Sequence, residues 1–154
     1  MKVINIEDLR GTNRATPFPC GMISNRFLLK SDGMGITLTV TEIPKSENWR
    51  HWHYKHHLEA CYCSSGKGIL HDLETNEKYD IIPGVMYALD EHDNHSFLAI
   101  EDTVLVCVFS PPLTGDEVHG KDGSYRSGVD PDQPYPVFLN EYAGEGHRFK
   151  VKRI

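Results

Sequence analysis

The sequence predicts an all-β protein, a sandwich or barrel of short strands with little helix. Strand-like segments alternate in polarity with a period of two. Turn signals interrupt these segments about every ten residues, which is typical of sandwiches and barrels. Residues 6–10 are the one stretch with a helical pattern. The chain has 154 residues, the size of one ordinary domain.

Three segments carry the strongest strand signals. Residues 36–41 alternate aliphatic side chains with three threonines. Residues 104–109 form a β-branched run that ends before Pro111 and Pro112, because proline cannot continue a hydrogen-bonded ladder. Residues 57–63 also alternate, and this places four residues on one side of the predicted strand: His57, Glu59, Cys61 and Cys63. Turns are predicted at residues 32–35, 65–68, 75–76 and 83–84.

The composition argues against several classes of function. Twenty-two Asp and Glu against 16 Lys and Arg leave a formal charge of −6, which disfavours binding to phosphate backbones, so we expect no nucleic-acid partner. The longest apolar runs are far shorter than the roughly 20 residues of a membrane span, so we expect no membrane partner. The N-terminal apolar stretch is too short for a secretory signal. We therefore expect a cytoplasmic protein.

The four cysteines are expected to be buried, reduced thiols. Cys61 and Cys63 point the same way on a strand, which is an awkward geometry for a mutual disulfide. Cys20 and Cys107 have no partner at a diagnostic spacing, and the chain has no CxxC pair for a zinc knuckle.

The chain divides into a barrel over residues 1–126 and a C-terminal extension over residues 127–154. The extension is rich in proline and glycine and ends in a basic stretch, but it also carries apolar and aromatic residues that argue against pure disorder. We expect it to pack across the barrel or a partner subunit.

Histidines cluster in the middle of the chain, with seven of the nine between His51 and His95. His57 differs from most of them because the alternation places it beside Glu59 on an inward face. A carboxylate that points into a β core is costly unless it is paired or bound to a cation. The others are expected to be solvated loop residues: His51, His53, His56, His71 and His92.

Two gapped motifs resemble those of the cupin superfamily of small β-barrels. Glu59 is followed by six residues and then Gly66, as the first cupin motif ends, although Trp52 and Tyr54 stand where that motif has two histidines. The second motif is matched in its spacing by Gly84, Asp90, His92 and His95. The resemblance implies a cupin-type jelly-roll barrel that keeps Glu59 and His95 as candidate metal ligands, with Tyr87 as the third candidate.

Longer strings resemble the ectoine synthase family of cupin lyases. They are YKHHLEACYC at 54–63, PGVMYALD at 83–90 and VCVFSPPLTG at 106–115, and the likeness covers roughly residues 1–125. It implies a carbon–oxygen hydro-lyase that cyclises N-γ-acetyl-L-2,4-diaminobutyrate to the compatible solute ectoine with loss of water, as part of osmotic stress protection. It also implies a homodimer that takes a small acetylated diamino acid as substrate.

The resemblance also implies a set of site residues. Fe(II), or another divalent metal, would be held by Glu59, Tyr87 and His95, a set of oxygen and nitrogen donors. The residues expected near the reacting groups are Tyr54, His57, Glu117 and His119, and either Tyr54 or His57 is the base that deprotonates the amine. Substrate contacts are expected from Arg26, Thr41, Tyr54, Cys107, Phe109, Glu117 and His119.

Some of these residues have an alternative interpretation. Thr41, Cys107 and Phe109 are also compatible with plain barrel packing, and Glu117 and His119 with solvated positions.

The chain also departs from the family where Met22 stands in place of a usual aromatic residue, which leaves the exact substrate open. Two other functions fit a cupin: an Fe(II) oxygenase on another substrate, or a non-catalytic protein that binds a small molecule.

Overall fold

The computed structural model describes residues 1–119 and 123–126, and nearly all regular structure there is β-strand. The strands are β1 (Ala15–Pro17), β2 (Ile23–Leu28), β3 (Thr37–Ile43), β4 (Arg50–Trp52), β5 (Leu58–Ser65), β6 (Gly68–Asp72), β7 (Lys78–Ile81), β8 (Met86–Leu89), β9 (His95–Ala99), β10 (Thr103–Ser110), β11 (Val118–His119) and β12 (Tyr125–Arg126). Two 3-10 helices span Ile6–Asp8 and Lys30–Asp32. The predicted all-β class is confirmed, and the helical pattern near the N-terminus is a single short turn.

The strands form two antiparallel sheets and a hairpin. A six-stranded sheet has the order β1-β2-β3-β10-β5-β8, and a four-stranded sheet has the order β4-β9-β6-β7. Strands β11 and β12 pair with each other as a separate two-stranded hairpin. Because successive strands often belong to different sheets, residues from distant parts of the chain meet in the interior.

The three segments with the strongest strand signals lie side by side at the centre of the large sheet. Strand β10 pairs with β3 on one side and with β5 on the other. Along β3 the threonines at positions 37, 39 and 41 are buried, whereas the aliphatic residues between them are only half-buried. The inner face of this sheet is therefore partly polar, as a binding cavity requires and a plain hydrocarbon core does not.

Gly66, the glycine of the first cupin-like motif, lies in the turn between β5 and β6. Its φ of +83° is in the left-handed region, and a Cβ there would lie 2.1 Å from the carbonyl oxygen of Asp102. No other residue type fits, because both the backbone angle and the close approach exclude a side chain.

The state of the cysteines agrees with the prediction at three of four positions. Cys61, Cys63 and Cys107 are buried and free, whereas Cys20 is free but exposed. Burial of Cys20 was a wrong prediction, because the residue lies in the tight turn in which the Gly21 amide donates to the Phe18 carbonyl at 2.9 Å.

The described residues include no helix long and apolar enough to cross a membrane. The predicted C-terminal extension, residues 127–154, lies outside the described residues, and its packing stays a prediction.

Candidate functional site

A cavity of about 340 Å³, counted with the solvent space at its mouth, lies against the inner face of the six-stranded sheet. Every strand of that sheet except β1 contributes a side chain to it, and β4 and β12 close it from the opposite side. Its lining residues are Met22, Ser24, Thr41, Ile43, Trp52, Tyr54, Glu59, Cys61, Tyr87, Leu105, Cys107, Phe109 and Tyr125.

Glu59 lies in β5 with its side chain in this cavity, buried as the alternation predicted. No ion pair joins it to a Lys, Arg or His of the described residues. The thiols of Cys61 and Cys107 lie within 4.8 Å of its carboxylate, and burial raises the pKa of Glu59 to about 7. A carboxylate in such a place is stable when it is protonated or when a cation replaces the lost water.

Tyr87 faces this carboxylate from the neighbouring strand. In the register of β5 and β8, Tyr87 lies opposite Cys61, and its half-buried side chain lines the cavity. Loss of hydration raises the pKa of Tyr87 well above its usual value. The phenol is therefore neutral unless a cation binds next to it.

His95, the first residue of β9, has one ring nitrogen fixed and the other without a partner. Its Nδ1 lies 2.9 Å from the carbonyl oxygen of Asp93, which can only accept, so Nδ1 carries the proton. Nε2 then carries a lone pair, and it is buried without a hydrogen-bond partner. Burial lowers the pKa of His95, so the ring is neutral. Such a buried, unpartnered imidazole nitrogen is well suited to ligate a metal.

The residues at the two positions that replace cupin histidines pack near His95. The rings of Trp52 and Tyr54 have centroids 6.0 Å and 6.3 Å from that of His95. Both residues are buried and line the cavity. They narrow the space where a conventional cupin would offer two more nitrogen ligands.

Glu59, Tyr87 and His95 offer donor types that fit a metal ion; Glu59 and Tyr87 line the cavity, whereas His95 is not a lining residue and packs near Trp52 and Tyr54, which are. They supply a carboxylate oxygen with no cationic partner, a phenol and a buried imidazole lone pair, and none of the three points into bulk solvent. Possible ligand atoms of Glu59, Cys61 and Cys107 lie within 4.8 Å of one another. Burial raises the pKa of the Cys61 thiol, so it is a hydrogen-bond donor rather than a thiolate.

The two histidines predicted near the reacting groups are held in defined positions. His57 is buried, and its Nδ1 donates to the carbonyl oxygen of Pro111 at 2.9 Å, which leaves the lone pair on Nε2. His119 is half-buried, with Nε2 3.0 Å from the hydroxyl of Tyr54. Burial lowers the pKa of His57 and brings that of His119 to about 4, so both are neutral at pH 7.

Arg26 and Glu117 meet in a buried network at the loop before β11. The Arg26 guanidinium donates to the carbonyl oxygens of Gly115 and Glu117. The Glu117 carboxylate accepts from the backbone and hydroxyl of Thr114 and from the amide of Gly115, at 2.5–2.8 Å. Burial opposes ionisation of Glu117, but these hydrogen bonds lower its pKa overall. Neither side chain is solvated, and neither lines the cavity.

Other residues of the prediction do line the cavity. Thr41 faces the cavity from β3, and Cys107 and Phe109 face it from β10. Met22, which stands in place of the family's aromatic residue, also lines the cavity. The nearby Phe18 packs its ring 5.0 Å from that of His119.

Sequence reasoning did not include Cys61 or Tyr125 in the site. Cys61 shares its face of β5 with Glu59, so alternation could have indicated it, but its contact with Cys107 at 3.4 Å depends on strand register. Tyr125 follows a loop, and no local pattern indicates where its side chain lies.

Comparisons with known proteins show which family this chain resembles. A sequence model of the ectoine synthase family matches residues 1–129. The L-ectoine synthase of Alkalilimnicola ehrlichii is 48% identical over 126 residues, covering 81% of this chain and 94% of the relative. The crystal structure of ectoine synthase from P. lautus has a TM-score of 0.73 at 38% identity, covering 87% of this chain and 96% of that one.

A cupin domain from Schizosaccharomyces pombe shares the fold alone, with a TM-score of 0.50 and 11% identity over 58% of this chain and 61% of that one. The two antiparallel sheets around a partly polar cavity are those of a cupin, and the cavity contains a group of side chains that could hold a metal ion. Within the cupins, the chain belongs to the ectoine synthase family, whose members are hydro-lyases.

Proposed function

We propose that this chain cyclises N-γ-acetyl-L-2,4-diaminobutyrate to ectoine with loss of water, with Fe(II) held by Glu59, Tyr87 and His95. The observation that carries the proposal is the pairing of a buried carboxylate without a cationic partner in the cavity with the buried, unpartnered imidazole nitrogen of His95, whose ring packs near the cavity residues Trp52 and Tyr54. Family membership supports the substrate, and the oxygen and nitrogen donors support Fe(II) over a softer ion.

The reaction joins the α-amine nitrogen to the acetamide carbon and expels the amide oxygen as water. An amide carbonyl is a poor electrophile, and a metal held by Glu59, Tyr87 and His95 would supply Lewis acidity to activate it. The walls of the cavity hold the flexible substrate in a ring-like conformation. Well-oriented intramolecular reactions gain roughly 7–11 kcal/mol from such positioning. Trp52, Tyr54 and Phe109 exclude bulk water from a reaction that releases it.

The amine must lose a proton, and His57 is the base that the geometry favours. Its Nδ1–H is tied to the Pro111 carbonyl, so Nε2 is the basic atom. Tyr54 is a poor base, because burial raises its pKa and keeps the hydroxyl protonated.

Tyr54 instead serves with His119 as a hydrogen-bonding pair that orients the substrate. Arg26 and Glu117 shape the loop that leads into His119, and Thr41 and Cys107 contact the substrate.

We also propose a cytoplasmic homodimer. All four cysteines are free, which fits a reducing compartment. Within the described residues, β1 and β8 are open edges of the large sheet, and exposed edges are commonly covered by a partner.

Proton NMR of the purified chain with fresh Fe(II) and the acetylated diamino acid tests the activity. We expect ectoine from the unchanged protein. We expect loss of bound iron and at least a 100-fold loss of rate in Glu59→Ala and His95→Ala. His71→Ala is the matched control, because His71 bonds Asn76 and is not a cavity residue.

Other outcomes would replace the proposal. Substrate binding without turnover would identify a binding protein, and oxygen uptake without ectoine would identify an oxygenase. Full iron content in Glu59→Ala would reject the ligand set.

A further inference from the structure

Three buried side chains with metal-ligating atoms, Glu59, Cys61 and Cys107, meet in the cavity and share only Glu59 with the ligand set proposed for iron. A carboxylate oxygen and both sulfur atoms lie within 4.8 Å of one another, and the two sulfur atoms are 3.4 Å apart. The side chains are 8%, 1% and 3% exposed, in that order. All three line the cavity, so an ion that enters through its mouth meets them.

Strand pairing holds these three side chains together. Glu59 and Cys61 are two residues apart on β5 and therefore share one face of the strand. Cys107 lies directly opposite Cys61 in the register of β10 and β5. Both strands are in the interior of the six-stranded sheet. The ligand atoms are therefore positioned by paired backbone rather than by loops, which makes a site precise.

The spacing of the sulfur atoms is close to that of a tetrahedral zinc site. With Zn–S bonds of about 2.3 Å and tetrahedral angles, two zinc-bound sulfur atoms lie about 3.8 Å apart. The observed separation of 3.4 Å differs by a few tenths of an ångström, which a small rotation of either side chain supplies. Three protein ligands leave a fourth position for water, as in zinc sites with an open position.

The donor set differs in kind from the one proposed for iron. Two sulfur atoms and one carboxylate oxygen favour a thiophilic ion such as Zn²⁺, whereas the other set offers only oxygen and nitrogen. The Thr41 hydroxyl oxygen lies 3.9 Å from Cys107 Sγ, where it can donate to the sulfur of a thiolate. No Lys, Arg or His of the described residues forms an ion pair with Glu59 and competes with a cation for it.

We propose that Glu59, Cys61 and Cys107 form a metal site for a thiophilic divalent cation of the Zn²⁺ class, distinct from the ligand set proposed for iron. Binding replaces the two thiol protons by the cation, and the protons pass to solvent. Because both ligand sets need Glu59, zinc bound here competes with Fe(II). The zinc site itself does not rest on the proposed function.

The test is zinc binding to purified, metal-free protein, with the metal content measured by mass spectrometry after buffer exchange. We expect Cys61→Ser and Cys107→Ser to raise the Kd for zinc by at least about 10-fold. His95→Ala separates the two ligand sets, because it should lose iron and keep zinc. Cys63→Ser is the matched control, since Cys63 is another buried thiol of β5 outside the group and should bind zinc normally.

Cobalt provides a readout that needs no cysteine variant. Co²⁺ bound by Cys61 and Cys107 should give thiolate-to-metal charge-transfer absorption in the near ultraviolet, in the unchanged protein and in His95→Ala alike. We also expect added zinc to lower the iron content of the unchanged protein. Full occupancy by both metals in one chain would overturn the shared use of Glu59.

Two further results would overturn the inference. One is zinc that is lost in His95→Ala but kept in both cysteine variants, which would place the ion at the iron set. The other is cobalt binding to the unchanged protein without charge-transfer absorption. If the unchanged protein makes no ectoine, the proposed function fails, whereas the zinc and cobalt measurements still decide the thiol site.

Discussion

The buried side chain of Glu59 shows most clearly how a single residue indicates function. The carboxyl group has lost its hydration and has the thiols of Cys61 and Cys107 beside it, so its charged form is disfavoured. Thiols are weak donors and compensate little of this cost. Such a residue destabilises the metal-free protein once it ionises, whereas a bound cation reverses that effect.

The raised pKa of Glu59 predicts how the stability of the metal-free protein depends on pH. The folded-state pKa of about 7 lies above the usual value of 4.5, so the folded state holds this proton more tightly than the unfolded chain does. The resulting stabilisation is complete below about pH 4.5 and is lost as the pH rises through about 7. Its full size is on the order of 3 kcal/mol.

Urea unfolding of metal-free protein at pH 5 and pH 8 measures this effect. We expect Glu59→Gln to gain stability relative to the unchanged protein as the pH rises, because Gln stays neutral. The buried histidines titrate in both proteins, so their contribution cancels in the difference. Parallel pH profiles for the two proteins would contradict the assignment.

At the scale of elements, the β11–β12 hairpin determines whether the site is complete. It carries His119 and Tyr125, and the loop before it is held by Glu117 and the guanidinium of Arg26. Its own strands have two residues each, too few to be stable alone. The hairpin therefore depends on its backbone contacts with residues 51–55.

Gly123→Ala tests that dependence. An alanine there meets both the left-handed backbone angle, with φ at +77°, and the close contact with residues 51 and 52. Gly35→Ala is the matched control, because Gly35 has φ at +76° and a Cβ added there would meet no atom within 4 Å. We expect the free energy of unfolding of each variant to fall by about 1–2 kcal/mol because of backbone strain. Only Gly123→Ala should also lower kcat/KM, by at least 10-fold, in steady-state assays. Equal kinetics for the two variants would show that docking of the hairpin is not needed.

At the scale of the whole molecule, the large sheet has an edge that favours association. Strand β8 pairs only with β5 among the described strands. On its outer side Met86 is 53% exposed and lies opposite Tyr62 in the register. An open edge next to exposed apolar side chains is a favourable place for a second copy of the chain.

We expect Met86→Glu to weaken the proposed homodimer, because a charge would be buried at the contact. Light scattering after size exclusion, over a range of concentrations, measures the mass. Leu73→Glu is the control, since Leu73 is similarly exposed, at 39%, but follows β6 of the other sheet. A dimer that is equally stable in both variants would move the interface away from β8, and a monomeric unchanged protein would end the dimer proposal.

Much of the fold could be predicted from local patterns. Alternation placed Glu59 on the inner face of β5 and predicted that His57, just before that strand, is buried on the same side, and the prolines after residue 110 marked the end of β10. The position of Arg26 in a buried network could not be predicted, because its partners lie about ninety residues further along the chain. Exposure of Cys20 was missed because a turn, rather than the residue's own polarity, decides it.

The sequence by itself determined the strands, the face each side chain takes and the family to which the chain belongs, because these follow from a period of two and from contiguous motifs. Only the tertiary structure decided which side chains meet: the thiol of Cys61 with that of Cys107, the ring of His95 with that of Trp52, and the ring of Tyr125 with that of His119. The physical reason is that such contacts depend on strand register and hairpin docking. These are set by packing between residues far apart in the chain, which no local pattern records.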